Sequence, residues 1–338
     1  MLLKNIQKIE NQTLLEMSEV PVPEILEDEV LLRVLACGVC HTELDEIEGR
    51  TVPAFFPIIL GHQVVGIVER VGRKVENVKM GQRVGVGWIY SACGKCELCE
   101  SGNENLCIHF KATGRDVNGG YAEYMAAKVD FVHAIPDFFS DIEAAPLLCA
   151  GAIGYRSLKL SNIRNGQKLG LMGFGSSNHL VLKMVKHKYP DIEVFVFARN
   201  KDERGFAVDI GAVWAGDIDE PSPKKLNSII DTTPVWKPIV EALKNLKAGG
   251  RLVINAIRKE NFDKDYLLKL TYENHLWLEK EIKSVANVSR SDIGEFLELA
   301  SEMKLKPYAQ VFPLSEANRA LLELKRGIIK GAKVLKVS

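Results

Sequence analysis

The apolar positions form two textures that meet near residue 150. Before it, short β-rich runs are broken by glycine. VLLRVLA (30–36), VVGIVERV (64–71) and residues 83–86 are such runs, and Gly61, Gly66, Gly72, Gly81, Gly85 and Gly87 punctuate them. Short strands joined by glycine turns predict a compact β-rich domain. After residue 150, strands alternate with helices. KLGLMGFG (168–175) is an apolar strand running into glycines, and a helix is predicted over 179–188. EVFVFA (193–198) is a second strand, followed by a helix ending near Gly211 and the strands AVWA (212–215), NSIID (227–231) and RLVINA (251–256). This alternation predicts an α/β unit, a doubly wound parallel sheet with helices on both faces. A further helix is predicted over 293–303, and the end, KGAKVLKVS (330–338), is strand-like.

Length and charge narrow the function classes. A chain of 338 residues suggests two domains. Its 44 basic residues balance 44 acidic ones without a basic stripe, which argues against nucleic acid as a partner. No apolar run is long enough to span a membrane. The start, MLLKNIQKIENQ, carries no cleavable hydrophobic region, so a cytoplasmic protein is expected. Seven cysteines in such a chain read as metal ligands and free thiols, not disulfides.

Four of them stand in ACGKCELCESGNENLC, at Cys93, Cys96, Cys99 and Cys107. Thiolates at these spacings close a tetrahedron around one zinc ion with every position filled, which is a structural site. The lobe spans about residues 91–109. Three further residues follow strands or turns: Cys40 in GVCHTE, His62 in GHQVVG and Cys149 in PLLCAG. Two cysteines and one histidine leave the fourth zinc position open for substrate, where the ion can act as a Lewis acid on an alcohol or carbonyl oxygen. Taken singly, Cys149 reads as a small buried residue and His62 as a core histidine. The surrounding words shift both toward ligands. Cys37 reads as a buried free thiol.

The strand 168–172 leads into Gly173, Phe174, Gly175, Ser176, Ser177 and Asn178, and a helix follows. The first two glycines allow a tight turn and close backbone approach to a pyrophosphate at the helix start. Asn178 stands where a third glycine usually packs helix on strand. The next strand ends at Ala198, Arg199 and Asn200, where an NAD enzyme usually carries a ribose-binding carboxylate. With no carboxylate there, and with Arg199 and Arg204 available to a 2'-phosphate, NADP(H) is expected over NAD(H).

Together these words resemble the zinc-dependent medium-chain dehydrogenase/reductase family, the zinc alcohol dehydrogenases. The resemblance runs through GVCHTE, GHQVVGIVERVGRKV, GQRVGVGW, the four-cysteine lobe, GGYAEY, PLLCAGAIGY and GFGSSN, and so covers essentially the whole chain. It implies a β-rich GroES-like catalytic domain over 1–152 and 289–338, and a Rossmann nucleotide domain over 153–288. It implies two zinc ions per chain, with Cys40, His62 and Cys149 on the catalytic one and the four lobe cysteines on the structural one. Thr42 is then the hydroxyl that receives the alcohol proton. Asp45 stands at the family's relay histidine, and Gln63 at a glutamate beside the zinc histidine. Ile153 stands at a threonine near the nicotinamide. Ala332 stands at an arginine near the cofactor phosphates, a charge that His41 or Lys333 could replace. Trp88 and Arg50 are expected to line the substrate pocket. Trp88 would favour small primary alcohols and aldehydes, or else reads as a core aromatic, and Arg50 would favour a polar substrate.

The leading expectation is an NADP(H)-dependent zinc alcohol dehydrogenase acting largely as an aldehyde reductase. It would be a homodimer or homotetramer, pairing through the edge of the nucleotide sheet near RLVINA. A polyol dehydrogenase on the same fold is one alternative, supported by Arg50. A non-catalytic zinc-stabilised binding protein is another, suggested by Gln63 and Ile153.

Overall fold

The computed structural model describes residues 1–10, 13–328 and 331–337; residues 330 and 338 of the strand-like tail lie outside the described residues. The chain divides into two units, Met1–Cys149 with Val288–Ser338, and Ala150–Asn287.

The first unit is built on a sheet whose centre is the strand Glu29–Val39. Nearly every position of that strand is buried, as its apolar residues on either side of Arg33 require. It pairs antiparallel with Val64–Val71 on one side and Ala332–Lys336 on the other, and Tyr124–Lys128 also pairs with it. Arg83–Val86 and Val132–Ala134 extend the sheet beyond Val64–Val71, and Ala309–Pro313 extends it beyond the C-terminal strand. The core gathers Val30, Leu32, Val34, Val64, Val68, Tyr121, Phe312 and Leu335. The C-terminal strand thus completes the sheet begun near the N-terminus. The helix expected over 293–303 spans Arg290–Glu302, where Ser289 and Asp292 exchange capping hydrogen bonds.

Helices also join the strands and loops read from the first texture and the chain end, among them Asp141–Pro146. His41–Ile47 follows the central strand directly. Ala317–Lys325 buries Ala317, Ala320, Leu321 and Leu324, a helical stripe one face wide.

The second unit is a six-stranded, all-parallel sheet in the order Trp214–Gly216, Glu193–Phe197, Lys168–Met172, Leu226–Asp231, Leu246–Ile254, Glu281–Ser284. Strand order reverses between Lys168–Met172 and Leu226–Asp231. Such a switch point opens a crevice at the carboxyl ends of the two strands. The helix expected over 179–188 begins earlier, at Ser176.

One expectation is corrected here. The strand containing RLVINA is interior, paired on both sides, and the sheet edge is Glu281–Ser284. All four residues of that edge are exposed, so it carries no apolar alternation by which the sequence could announce it.

Candidate active site

The register Cys37↔Val64 sets the end of the central strand beside the start of its neighbour. Cys40 lies just beyond that end and His62 just before that start, so antiparallel pairing alone brings them together. Cys149 arrives from a third direction, on a π-helical turn, Leu147–Gly151, that continues the helix Asp141–Pro146. Such turns are rare and concentrate at functional sites. The two sulfurs and an imidazole nitrogen lie within 4.8 Å of one another. Cys40 Sγ is 4.0 Å from Cys149 Sγ and 3.6 Å from Thr42 Oγ1.

Glu43 organises this group. One carboxylate oxygen accepts from the Cys40 amide at 2.7 Å, and the other stands 2.7 Å from His62 Nδ1. Glu46, one helical turn on, is fully buried and neither of its oxygens has a hydrogen-bond partner. Burial, then the nearby Glu43, pushes the Glu46 carboxyl well above its ordinary value. Burial opposes charge on His62, yet Glu43 and Cys40 push the imidazole well above its usual pKa. The Cys40 thiol is drawn well below its usual value by hydrogen bonding from Cys149, against the opposing effect of burial. Four acidic groups thus surround one imidazole whose Nε2 is buried and unpartnered. A divalent cation fits this set: it would satisfy the orphaned nitrogen and offset the buried negative charge. The donors, two sulfurs and one nitrogen, suit zinc.

The sulfurs of Cys93, Cys96, Cys99 and Cys107 also lie within 4.8 Å of one another. Gly94 and Gly102 take the left-handed turns that fold the loop back on itself. The Lys95 amide brings Cys93 down to about 6, while burial and Cys96 push Cys99 up to about 12. This set also fits zinc, in a closed site.

In the second unit, Gly173 takes φ +74, and a Cβ there would meet Thr233 Cγ2 at 2.9 Å. Gly175 has open space where a Cβ would stand, room for a ligand at the start of the helix Ser176–Lys188. Asn178 is buried and donates from Nδ2 to Met172 O at 3.0 Å, Gly173 O at 2.8 Å and Thr232 Oγ1 at 3.1 Å. It fastens helix to strand by hydrogen bonds where a third glycine would do so by close packing. Phe174 is buried and Ser177 half-buried; the Ser176 side chain lies outside the described residues. Ala198 is buried at the second strand's end, with Arg199 exposed beside it. Asn200 Oδ1 caps the following helix, Lys201–Asp209, through the Asp202 amide. Arg204 Nη1 donates to Ala198 O at 2.7 Å and Arg199 O at 3.2 Å, and lies 3.4 Å from Asp217 Oδ2.

These features have counterparts among known proteins. The alcohol dehydrogenase GroES-like domain family matches residues 26–137. A probable alcohol dehydrogenase AdhA of Mycobacterium tuberculosis is 38% identical over 319 residues, covering 93% of this chain and 90% of that protein. An alcohol dehydrogenase of Geobacillus stearothermophilus is 35% identical over 332 residues, covering 96% of each. This chain belongs to the zinc-type medium-chain dehydrogenase/reductase family. Among solved structures, a cinnamyl alcohol dehydrogenase of Sorghum bicolor matches it with a TM-score of 0.84 at 27% identity, over 95% of this chain and 94% of that one.

Within this alcohol dehydrogenase two of the family departures, Gln63 and Asp45, have local partners. The Gln63 side chain lies against Gly38, where an added Cβ would meet Gln63 Oε1 at 2.7 Å. Asp45 is buried and accepts from Arg50 Nε at 2.6 Å, while Arg50 also pairs with Glu48. Ile153 is half-buried on the helix Ala152–Ser161. Lys333 donates to Glu323 Oε2 at 2.6 Å and Gln310 Oε1 at 2.9 Å and is buried, so it does not replace the charge missing at Ala332. His41 is exposed at the start of its helix. Trp88 belongs to a small cluster with Ile89, Ala112 and Phe131; the Arg115 guanidinium lies over its ring, and its Nε1 is buried without a hydrogen-bond partner. Sequence reasoning passed over Glu43 and Glu46. Glu43 carried a signal, since a glutamate three residues after a helix-capping position is the capping-box spacing.

Proposed function

We propose that this alcohol dehydrogenase is zinc-dependent and acts mainly as an NADP(H)-linked reductase of small aldehydes. The observation that carries the reading is the Cys40, His62, Cys149 set, with its orphaned His62 Nε2 and the buried acidic groups around it. Those three residues would hold the catalytic zinc, and the four lobe cysteines a structural one. When bound, the zinc supplies a Lewis acid for the alcohol or carbonyl oxygen, and the nicotinamide supplies or accepts the hydride.

The chain's own residues do the rest. Glu43 orients His62 and anchors the Cys40 backbone, so two ligands are aimed before the metal arrives. Thr42 is buried beside Cys40 and serves as the hydroxyl that gives a proton to the product oxygen in reduction and takes it in oxidation. Asp45 is bound to Arg50, so it acts as a brace for that arginine and not as the next proton carrier. The Gly173–Gly175 turn receives the cofactor pyrophosphate at the helix N-terminus.

NADP(H) preference rests on Ala198 and Arg199. Arg204 is engaged by two carbonyls and Asp217, which leaves Arg199 and, two residues on, Lys201 as exposed cations beside the strand end. Arg50 faces two carboxylates, Asp45 and Glu48, so it offers little net charge to a polyol or polar substrate. The exposed edge Glu281–Ser284, with its exposed Ile282, supports pairing of a second copy of this chain through the sheet edge.

The test is reduction of short, aromatic and polyhydroxy aldehydes by zinc-replete protein with NADPH or NADH, alongside a metal count. Two zinc ions per chain and faster turnover with NADPH are expected. Preference for NADH would overturn the cofactor assignment and leave the zinc reading standing. A single zinc ion without turnover would favour the non-catalytic alternative.

A further inference from the structure

Three loops leave the carboxyl ends of adjacent parallel strands in the second unit: the glycine turn after Lys168–Met172, residues 232–235 after Leu226–Asp231, and residues 255–260 after Leu246–Ile254. The first two flank the switch point where a dinucleotide binds. A buried ion pair joins the second loop to the third. Lys259 Nζ is 2.5 Å from Asp231 Oδ2 and also donates to Thr233 O at 2.6 Å and Val235 O at 3.2 Å. An ammonium has three protons, and all three are used. The second oxygen, Asp231 Oδ1, accepts from the Thr233 hydroxyl at 2.7 Å and its amide at 3.2 Å. Asp231 has no exposed surface and the Lys259 side chain only 9%.

The network continues into the glycine turn. Thr232 Oγ1 accepts from Asn178 and donates to Met172 O at 3.3 Å. The Thr233 methyl crowds the space over Gly173. One chain of contacts therefore runs from the pyrophosphate turn through Asn178, Thr232, Thr233 and Asp231 to Lys259.

A buried ion pair is a weak source of stability, because well-packed apolar residues often serve as well or better. What apolar side chains cannot do is fix the direction of two carbonyls and a carboxylate at once. We propose that Asp231 and Lys259 are positioning residues for the cofactor: their pair fixes the loops at the crevice before the dinucleotide arrives. Cofactor affinity depends on it, and hydride transfer does not. This inference rests on the dinucleotide-binding reading of the second unit.

The test compares the zinc-loaded full chain with Lys259→Met and with the double variant Asp231→Asn/Lys259→Met. NADPH binding is read by fluorescence titration, stability by thermal melting, and turnover at saturating cofactor. Lys259→Met leaves a carboxylate buried and unpaired, so its Tm falls. Its Kd for NADPH rises roughly tenfold, the scale expected of side chains acting through neighbours. The double variant removes both charges and regains Tm, yet its Kd stays raised while saturated turnover changes little. A double variant that regains both Tm and Kd would overturn the proposal, since the pair would then act on stability alone. So would an unchanged Kd in both variants. A wild-type chain that binds neither NADPH nor NADH would instead overturn the dinucleotide reading itself.

Discussion

One carboxylate, Glu43, reaches both the Cys40 amide and the His62 ring, so it controls two members of the proposed zinc-binding set. Replacing Glu43 with Gln keeps the shape but removes the charge facing His62. Zinc affinity is expected to fall by about 10- to 100-fold, as measured by competition with a chromogenic chelator, and activity should recover in part with excess zinc. Arg199 has the opposite character, an exposed side chain proposed to meet a single ligand group. Arg199→Ala should raise KM for NADPH by about tenfold and leave KM for NADH nearly unchanged. Equal effects on both cofactors would show that Arg199 does not meet the 2'-phosphate.

At the scale of elements, Asn178 ties the helix Ser176–Lys188 to the strand Lys168–Met172 and to Thr232. Asn178→Ala removes the two amide protons shared among Met172 O, Gly173 O and Thr232 Oγ1. It should cost about 1–3 kcal/mol, visible in denaturant unfolding. The edge strand Glu281–Ser284 makes a different kind of prediction. Ile282 is exposed on a strand with free backbone groups along one side, so Ile282→Lys should shift the particle toward monomer mass in sedimentation. An unchanged mass would place the pairing elsewhere. That strand was not legible in the sequence because its four residues are exposed and polar positions dominate. The interior strands were legible because burial on both faces forces continuous apolar runs.

At the scale of the whole molecule, acid stability depends on a group outside the proposed zinc sets. Burial, then Arg290, brings His133 down to about 4 from its ordinary 6.5. The folded chain therefore keeps His133 neutral where the unfolded chain protonates it. Its contribution is fully present above pH 6.5 and is lost as pH falls toward 4, at most about 3 kcal/mol in all. Unfolding free energies measured from pH 7 to pH 4 should fall less steeply for His133→Gln than for the wild type. Identical slopes would mean that folding leaves the proton affinity of His133 unchanged.

What lies within one loop or one strand–turn–helix step is legible along the chain. The lobe cysteines are neighbours along the chain, so their spacing alone announces four converging sulfurs. GFGSSN likewise carries its turn, its open glycine and its helix start in consecutive residues. Which charges are free emerges only after folding. Arg204 and Lys333 read as available cations, yet the first is held by strand-end carbonyls and Asp217, and the second by Glu323 and Gln310. Asp231 and Lys259 carry no motif, because their partnership exists only once two parallel strands lie side by side. The same holds for Glu46, which is an ordinary helix glutamate until burial leaves it without a partner. A local motif fixes distances through a few rotatable bonds. The state of a charge is set by every group that folding packs around it, and that environment is written across the whole chain.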